Sequence, residues 1–329
     1  MGEVGDNPGQ LSYPRCLDHD TDGLWVIDKL ARVQRLDPAT GLATLGWRMP
    51  AWENGKPTGL TVWKPPAGGP TRIIIPDTHY HRVMIYDPEA LAPGADPLHE
   101  GGKLIGQFGQ YGEGDAQFIY PTDVAVLPTP DGRGIARLYV SEYGGHDRIS
   151  VFAPSPGAQV GDEREFQFQF AFGRPGSGAS AEPLEFNRPQ SLVIDLSRRE
   201  LIVTDACNHR VGRLTLEGRL IAWFSSMGDG IGELKYPYGL ALCEDHTIFV
   251  TEFGGNRVQR FDPETGASLG IYGTGGRHDG ELASPWAITV LGSTVYVLDS
   301  GSNRIKGFEL PSGRTPLRSA ATTSAGGPG

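Results

Sequence analysis

The amino-acid sequence predicts an all-β fold, a six-bladed β-propeller built from four-stranded antiparallel blades. The chain of 329 residues contains 47 glycines and 26 prolines at spaced positions, as in proteins with many short strands joined by turns. One sequence pattern also recurs six times, at intervals of 47 to 65 residues. A repeat of this length, with apolar runs for four strands, is typical of a propeller blade.

Each repeat contains an apolar run that ends in an acidic residue, followed by a polar or Gly-rich turn and an arginine. The acidic residues are Asp28, Asp77, Glu142, Asp205, Glu252 and Asp299. The arginines that follow them are Arg32, Arg82, Arg148, Arg210, Arg257 and Arg304. A proline precedes each acidic residue by 14 to 21 positions, at Pro14, Pro57, Pro121, Pro189, Pro237 and Pro285.

These features predict the strands of one blade in order. The proline begins the first strand, at a position that needs no ladder N–H group. The apolar run is the second strand, buried on both faces, and the arginine begins the third. Fourth strands are predicted from Leu104, Phe168 and Leu220. Because the acid–arginine pair recurs in every repeat, we interpret it as part of the scaffold and not as a catalytic dyad.

The repeats resemble those of a known family. Residues 230–262, GIGELKYPYGLALCEDHTIFVTEFGGNRVQRFD, are similar to a near-consensus NHL repeat. The resemblance extends from about Gly5 to Phe308. It implies a stand-alone propeller of the bacterial NHL type.

The boundaries of the predicted domain depend on how the ring of blades closes. Residues 1–318 are predicted to form a single propeller, and residues 319–329, rich in Ser, Ala and Gly, a disordered tail. The segment GDNPGQLSYP matches the loop before a first strand, so we expect no upstream strand for the last blade. Residues Gly313 to Arg318 are then expected to supply its outer strand.

Charge and composition exclude several functions. The net charge of −10 argues against a general nucleic-acid binder, although some NHL propellers bind RNA through a basic face. The three cysteines, Cys16, Cys207 and Cys243, indicate no disulfide framework. No apolar segment is long enough to insert into a membrane, and the first residues do not form a signal peptide. The sequence as it stands predicts a cytoplasmic protein, or an extracytoplasmic one if a signal has been removed.

One rim of the propeller is the predicted binding surface. The residues after the six prolines should surround the mouth of the central channel: Arg15, Thr58, Thr122, Gln190, Tyr238 and Trp286. Asp123, Tyr143, His146 and His209 are predicted beside them. An arginine with aromatic neighbours in a concave mouth is typical of a ligand site. We therefore predict a non-catalytic scaffold that binds a peptide, a protein or a small ligand without a cofactor.

The alternative is an enzyme, a metal-dependent lyase or lactonase-like hydrolase that acts in the channel. The resemblance supports it, because NHL propellers include the zinc-dependent peptidyl-hydroxyglycine lyase. Weak candidate zinc ligands are His79, His81, His146 and His209, with Asp123 as a further candidate. The string DHDTDG from Asp18 matches the beginning of a calcium loop, but Lys29 occupies the position of its bidentate glutamate. We interpret that string as a hairpin turn.

Overall fold

The computed structural model describes residues 1–155, 166–177 and 184–310, and it contains six antiparallel sheets arranged as the blades of a propeller. Within each blade the strands are lettered A to D from the channel outwards. Blade 1 comprises Pro14–His19, Leu24–Asp28, Arg32–Leu36 and Ala43–Arg48, and blade 2 comprises Thr61–Trp63, Arg72–Asp77, Arg82–Asp87 and Lys103–Phe108. Blade 3 comprises Tyr120–Pro128, Ile135–Tyr143, Arg148–Pro154 and Phe166–Phe172.

The remaining blades follow the same plan. Blade 4 comprises Pro189–Asp195, Glu200–Asp205, Arg210–Thr215 and Leu220–Phe224, and blade 5 comprises Pro237–Leu242, Ile248–Glu252, Arg257–Asp262 and Ala267–Tyr272. Blade 6 has three described strands, Pro285–Leu291, Thr294–Asp299 and Arg304–Glu309. Four small sheets lie outside the blades, and each consists of two parallel strands of two residues. They pair Glu3–Val4 with Gln10–Leu11, Gln110–Tyr111 with Gln117–Phe118, Arg174–Pro175 with Glu185–Phe186, and Thr274–Gly275 with Glu281–Leu282. The predicted fold class is confirmed.

The register of strands A and B determines which residues reach the binding rim. In blade 1 Pro14 lies opposite Asp28, and in blade 5 Pro237 lies opposite Glu252. The same pairing recurs in blades 3, 4 and 6. Strand A therefore begins on the rim where strand B ends. The residue after each of these prolines consequently lies at one end of the central channel, which we call the rim mouth.

The acid–arginine pairs stabilise the turns between strands B and C. The Arg148 guanidinium contacts the Glu142 carboxylate at 2.6 Å and also donates to the carbonyl groups of Gly114 and Gln117. The Glu142 carboxylate accepts the backbone N–H of Ile119. An ion pair of 2.5 to 2.9 Å occurs at the same place in the other five blades. In blades 1, 3, 4, 5 and 6 the arginine also donates to carbonyl groups of the entering loop, so these pairs tie the blade to that loop.

The choice of Asp or Glu in these pairs follows the form of the turn. Three aspartates precede short 3-10 helices, at Thr78–Tyr80, Ala206–Asn208 and Ser300–Ser302. Glu142 and Glu252 precede Gly-Gly turns instead. At Gly255 an added Cβ would lie 2.4 Å from Glu252 Oε2, so the longer acid occupies space that only glycine leaves open.

The N-terminus takes part in closing the ring, which the sequence analysis did not expect. The amino group of Met1 donates to the Ile305 carbonyl, and the Ile305 N–H donates to the Met1 carbonyl, both at 2.8 Å. In blade 2 the equivalent pair is Phe108 with Val83, the end of strand D against strand C. The expectation concerned a whole upstream strand, and the described part of blade 6 has none; Met1 adds a single residue pair to strand C. Gly313 to Arg318 and the predicted tail at 319–329 lie outside the described residues.

The hydrophobic core lies between neighbouring blades, on both faces of each sheet. Between blades 1 and 2, for example, Trp25, Trp47 and Tyr86 pack together with ring centroids 5.3 to 5.8 Å apart. Burial on both faces explains why the strand B runs are apolar throughout. Within the described ranges, no helix has the length and hydropathy needed to cross a membrane.

Candidate functional site

The rim mouth brings together five of the six residues that follow the repeat prolines. Arg15, Thr58, Gln190, Tyr238 and Trp286 line a cavity of about 20 Å³, together with Asp123. The sixth, Thr122, is fully buried beside this cavity, where its hydroxyl donates to the Pro189 carbonyl at 2.8 Å. The Thr58 hydroxyl contacts the Thr78 hydroxyl at 2.9 Å. Both threonines therefore connect neighbouring strands and blades around the mouth.

Aromatic rings form one wall of the mouth. The ring of Tyr238 stacks on that of Phe253 with centroids 4.7 Å apart, and Trp286 meets Tyr238 edge-on at 4.9 Å. The Arg15 guanidinium carbon lies 4.7 Å from the centre of the Trp286 ring, within the range of a cation–π interaction. A Cβ on Gly239 would lie 2.7 Å from Ala287 Cα, so this glycine allows blades 5 and 6 to approach and their rings to meet.

A second arginine, Arg188, completes this cluster and was missed by the sequence analysis. Its guanidinium carbon lies 4.6 Å from the ring centre of Tyr143 and 5.1 Å from that of Tyr238. Its Nε donates to Gln190 Oε1 at 3.0 Å, and its backbone N–H donates to Asp147 Oδ1. Arg188 has a left-handed backbone with φ of 60°. We call Arg15, Tyr143, Arg188, Tyr238, Phe253 and Trp286 the rim cluster.

The polar groups of the rim cluster are incompletely satisfied. Arg15 Nε and Trp286 Nε1 are buried and have no hydrogen-bond partner among the described residues. Burial lowers the pKa of Arg15, and the nearby charge of Arg188 lowers that pKa further. Neither guanidinium is in an ion pair with a described carboxylate, in contrast to the six arginines of the turns. The rim mouth therefore places two guanidinium groups outside ion pairs with described carboxylates next to apolar surface, and Asp123 is the carboxyl that also lines it.

A larger cavity of about 320 Å³ continues below the rim mouth along the strands A. Its wall contains two carboxyl groups, Asp18 and Asp123. Burial raises the pKa of each to about 7. Asp123 accepts hydrogen bonds from the Ser191 hydroxyl and the Leu192 N–H, and Asp18 accepts one from the Val62 N–H. These bonds cross from one blade to the next, which gives both carboxyl groups a structural role in the channel.

Two of the four candidate histidines, His79 and His81, pack against the ring of Tyr120, but the four do not converge on one site. His81 and His209 occupy left-handed turn positions; the His81 ring bonds the Ile119 carbonyl, and His209 Nδ1 accepts the Tyr236 N–H at 3.1 Å. Burial lowers the pKa of His79 and of His146, whose Nδ1 atoms have no partner in the described part of the chain. Residues 1–155, 166–177 and 184–310 contain no group of three or more His, Cys, Asp or Glu side chains placed to hold a metal.

The candidate calcium loop is a hairpin turn. Asp20 Oδ1 accepts the N–H groups of Asp22 and Gly23, and Asp20 Oδ2 accepts Trp25 Nε1–H at 2.7 Å. The Asp18 carboxyl points to the channel and bonds Val62 of the next blade. The acids of this string are thus directed to different partners, as the hairpin interpretation predicts.

Comparison with known proteins supports the predicted resemblance. The family profile of the NHL repeat matches residues 186–214. NHL repeat-containing protein 3 is similar to this chain over 104 residues, with 27% identity for the Homo sapiens protein and 28% for that of Mus musculus. The matched segment spans 30% of this chain and 30% of each relative. The predicted resemblance to NHL-repeat proteins is confirmed, as a distant one.

Solved structures share the architecture across most of the chain. A streptogramin B lyase has a TM-score of 0.54 at 16% identity, covering 93% of this chain and 86% of the lyase. A protein of unknown function from Bacteroides thetaiotaomicron has a TM-score of 0.60 at 17% identity, covering 91% and 70%. A chain of a nidogen/laminin complex has a TM-score of 0.51 at 15% identity, covering 89% and 88%. At these identities the likeness concerns the fold alone.

Proposed function

We propose that this protein is a non-catalytic recognition scaffold that binds a small ligand, or an exposed end of a peptide or protein, at the rim cluster. The observation that carries the proposal is the rim mouth, where two arginines that have no carboxylate partner among the described residues adjoin three packed aromatic rings. Buried aromatic and arginine side chains are the residues that dominate binding energy at interfaces. Because the rim cluster lies at one end of the central channel, a ligand would meet it in a concave opening.

The remaining features of the rim support recognition and not chemistry. The acid–arginine pairs occur in all six blades, and five of them bond the entry loop, so their repetition has a structural cause. Asp123 bonds the neighbouring blade through Ser191 and Leu192, and the rings of His81 and His209 bond backbone groups. The rim cluster supplies instead what a binding site needs: flat apolar area with donors at its centre.

Indole NMR tests this proposal at the level of one residue. The chain has six tryptophans, so ¹⁵N-tryptophan labelling gives each indole its own signal. In a screen of charged and neutral aromatic fragments and short peptides, we expect binders to shift the Trp286 signal. Trp25, Trp47 and Trp223 are internal controls, because they lie between blades in the core. A screen in which no compound shifts Trp286, or in which all signals shift together, would contradict the proposal.

A triple variant, Arg15→Met with Tyr238→Leu and Trp286→Leu, provides the complementary test. It should remove binding of any compound found in the screen and retain the β-sheet circular dichroism spectrum of the wild type. Metal content distinguishes the proposal from a metal-dependent lyase or hydrolase. We expect neither stoichiometric zinc nor calcium in the purified protein, and unchanged binding after chelation. Stoichiometric metal, with binding lost on chelation, would favour the enzyme.

A further inference from the structure

We infer that the rim mouth recognises a carboxylate group, held by the Arg15 guanidinium and the Trp286 indole N–H, in a ligand whose apolar part lies against Phe253 and Trp286. This inference rests on the proposed function and names the class of ligand. Its first support is charge. Arg15 lies over the Trp286 ring and Arg188 over the Tyr238 ring that Trp286 contacts, and the charge of Arg188 lowers the pKa of Arg15, so an anion placed at the mouth is attracted to both guanidinium groups.

The second support is the pair of unused donors. A buried N–H group without an acceptor has lost its hydrogen bonds to water, so a ligand that supplies an acceptor is favoured there. The described residues include several such donors, among them Arg82 Nη2, Trp47 Nε1 and Trp223 Nε1. Arg15 Nε and Trp286 Nε1 differ from these because their side chains contact each other and line the same cavity at the rim mouth. A carboxylate has two oxygens that accept hydrogen bonds, and planar guanidinium groups bind it through charge-assisted bonds. One carboxylate therefore satisfies both donors together.

The third support is size. The cavity at the mouth has a volume of about 20 Å³, close to the space that one water molecule needs. A group the size of a carboxylate oxygen enters it, whereas an aromatic ring does not. The rest of the ligand then remains outside the cavity, against the half-buried rings of Phe253 and Trp286, which pack on the buried Tyr238 ring. Inorganic phosphate and sulfate have no apolar part to lie against these rings.

Asp123 is the acidic group that also lines the mouth. Its carboxyl oxygens already accept hydrogen bonds from Val124, Ser191 and Leu192. These bonds direct the carboxyl towards blade 4 and the channel, and they balance part of its charge. The donors of Arg15 and Trp286 are on blades 1 and 6. The ligand carboxylate is therefore expected on the side of the mouth formed by those two blades.

Calorimetric titration with phenylacetate and phenylacetamide tests the inference, because the two probes have nearly the same shape and differ in charge. We expect phenylacetate to bind at least about tenfold more tightly, as charge-assisted hydrogen bonds require. Inorganic phosphate and sulfate, titrated alone, should bind more weakly than phenylacetate. Equal affinity for the two aromatic probes would overturn the inference, and so would tighter binding of phosphate or sulfate.

Variants assign the effect to the two donors. Arg15→Met should weaken phenylacetate binding at least about tenfold, and Trp286→Phe, which keeps a ring but removes the N–H, about fivefold. Arg35→Met is the matched control: Arg35 lies 5.5 Å from the Trp25 ring centre, but it is paired with Glu89. Its affinity should equal that of the wild type. If Arg15→Met does not fold, Arg15→Lys and Trp286→Phe still decide the result, because unchanged affinity in both would overturn the inference.

The outcome separates this inference from the proposed function. If phenylacetamide shifts the Trp286 indole signal as strongly as phenylacetate does, the rim cluster is a binding site for neutral aromatic groups and only the carboxylate inference fails. If neither probe shifts that signal, the carboxylate inference also fails, and the wider fragment screen decides the proposed function.

Discussion

Two sets of arginines in this propeller differ in what surrounds them. In the turns between strands B and C, the arginine contacts a buried acid, and in five blades it also donates to carbonyl groups of the entering loop, as Arg148 does with Glu142 and Gly114. Blade 2 is the exception, because Arg82 contacts Asp77 but its Nη2 atom has no partner among the described residues. At the rim mouth, Arg15 and Arg188 lie on aromatic rings without an acid partner in the described part of the chain. The charge of each turn arginine is thus balanced within the fold. The arginines of the rim mouth have interactions to offer a ligand.

This contrast shows how a scaffold of six similar blades can have one binding site. A group that recurs in every blade serves the blade, because six equivalent surroundings impose the same requirement. A group that occurs once is free from that requirement. Arg15 follows the proline of blade 1, where the other blades have Thr, Gln, Tyr or Trp, and Arg188 precedes the proline of blade 4. The asymmetry of the rim therefore marks the binding site better than any repeated motif does.

Breaking a turn pair should have the largest effect on stability. Arg148→Met leaves the Glu142 carboxylate buried without its partner, and we expect the free energy of unfolding to fall by about 3–5 kcal/mol. Urea unfolding followed by circular dichroism measures this change. Arg174→Met is the control, since the Arg174 side chain is 55% exposed and its ion pair with Glu185 should contribute less than about 1 kcal/mol. Equal losses in the two variants would refute the structural role of the pair.

The channel carboxyl groups should make stability depend on pH. Burial raises the pKa of Asp123 to about 7 from its ordinary 3.8, so the folded chain retains a proton that the unfolded chain has released. The Asp123 carboxyl therefore contributes to the free energy of unfolding below pH 4, and this contribution is lost as the pH rises through 7. The free energy of unfolding of the wild type should therefore fall between pH 5 and pH 8. In Asp123→Asn this fall should be smaller by about 1–2 kcal/mol.

Asp18 should behave in the same direction with a smaller effect, because its side chain keeps 27% of its surface exposed to the channel. Asp131→Asn is the control for both. Asp131 is exposed, and hydrogen bonds from Thr129 and Arg133 lower its pKa, so it is ionised throughout this pH range. Thermal unfolding at several pH values provides the comparison. An unchanged slope in Asp123→Asn would show that its carboxyl titrates normally.

Replacing a rim arginine should have the smallest effect on stability. Arg15→Met removes a buried donor that has no acceptor, a cost of about 1–3 kcal/mol, but it also removes the contact with Trp286, worth about 1 kcal/mol. The two terms oppose each other, so the free energy of unfolding should not fall by more than about 1 kcal/mol. A loss as large as that of Arg148→Met would place Arg15 in the scaffold and remove the contrast.

The blades could be predicted because their pattern occurs six times. The alternation of proline, apolar run, acid and arginine determines the register, and the register brings the start of strand A and the end of strand B to one rim. The pairing of Met1 with Ile305 could not be predicted in this way, because it involves the last position of an outer strand and has no repeat of its own.

The site was predicted less completely than the fold. Arg15, Tyr238 and Trp286 were found because they follow the prolines, whereas Arg188 was missed because it precedes one. The direction of the Arg188 side chain depends on its left-handed backbone and on the hydrogen bond from its backbone N–H to Asp147, a residue of the preceding blade. The same left-handed conformation occurs before the prolines at Tyr13, Tyr236 and Ser284. A search of these preceding positions for charged residues would have found Arg188.

Thermal unfolding of wild type, Arg15→Met and Arg35→Met at increasing phenylacetate concentrations tests the central claim most directly. A ligand that binds only the folded chain raises its stability in proportion to the logarithm of its concentration above Kd. We predict that the melting temperature of wild type and Arg35→Met rises with phenylacetate and that of Arg15→Met does not. An equal rise in all three proteins, or no rise in any, would contradict the assignment of the rim mouth as a carboxylate site.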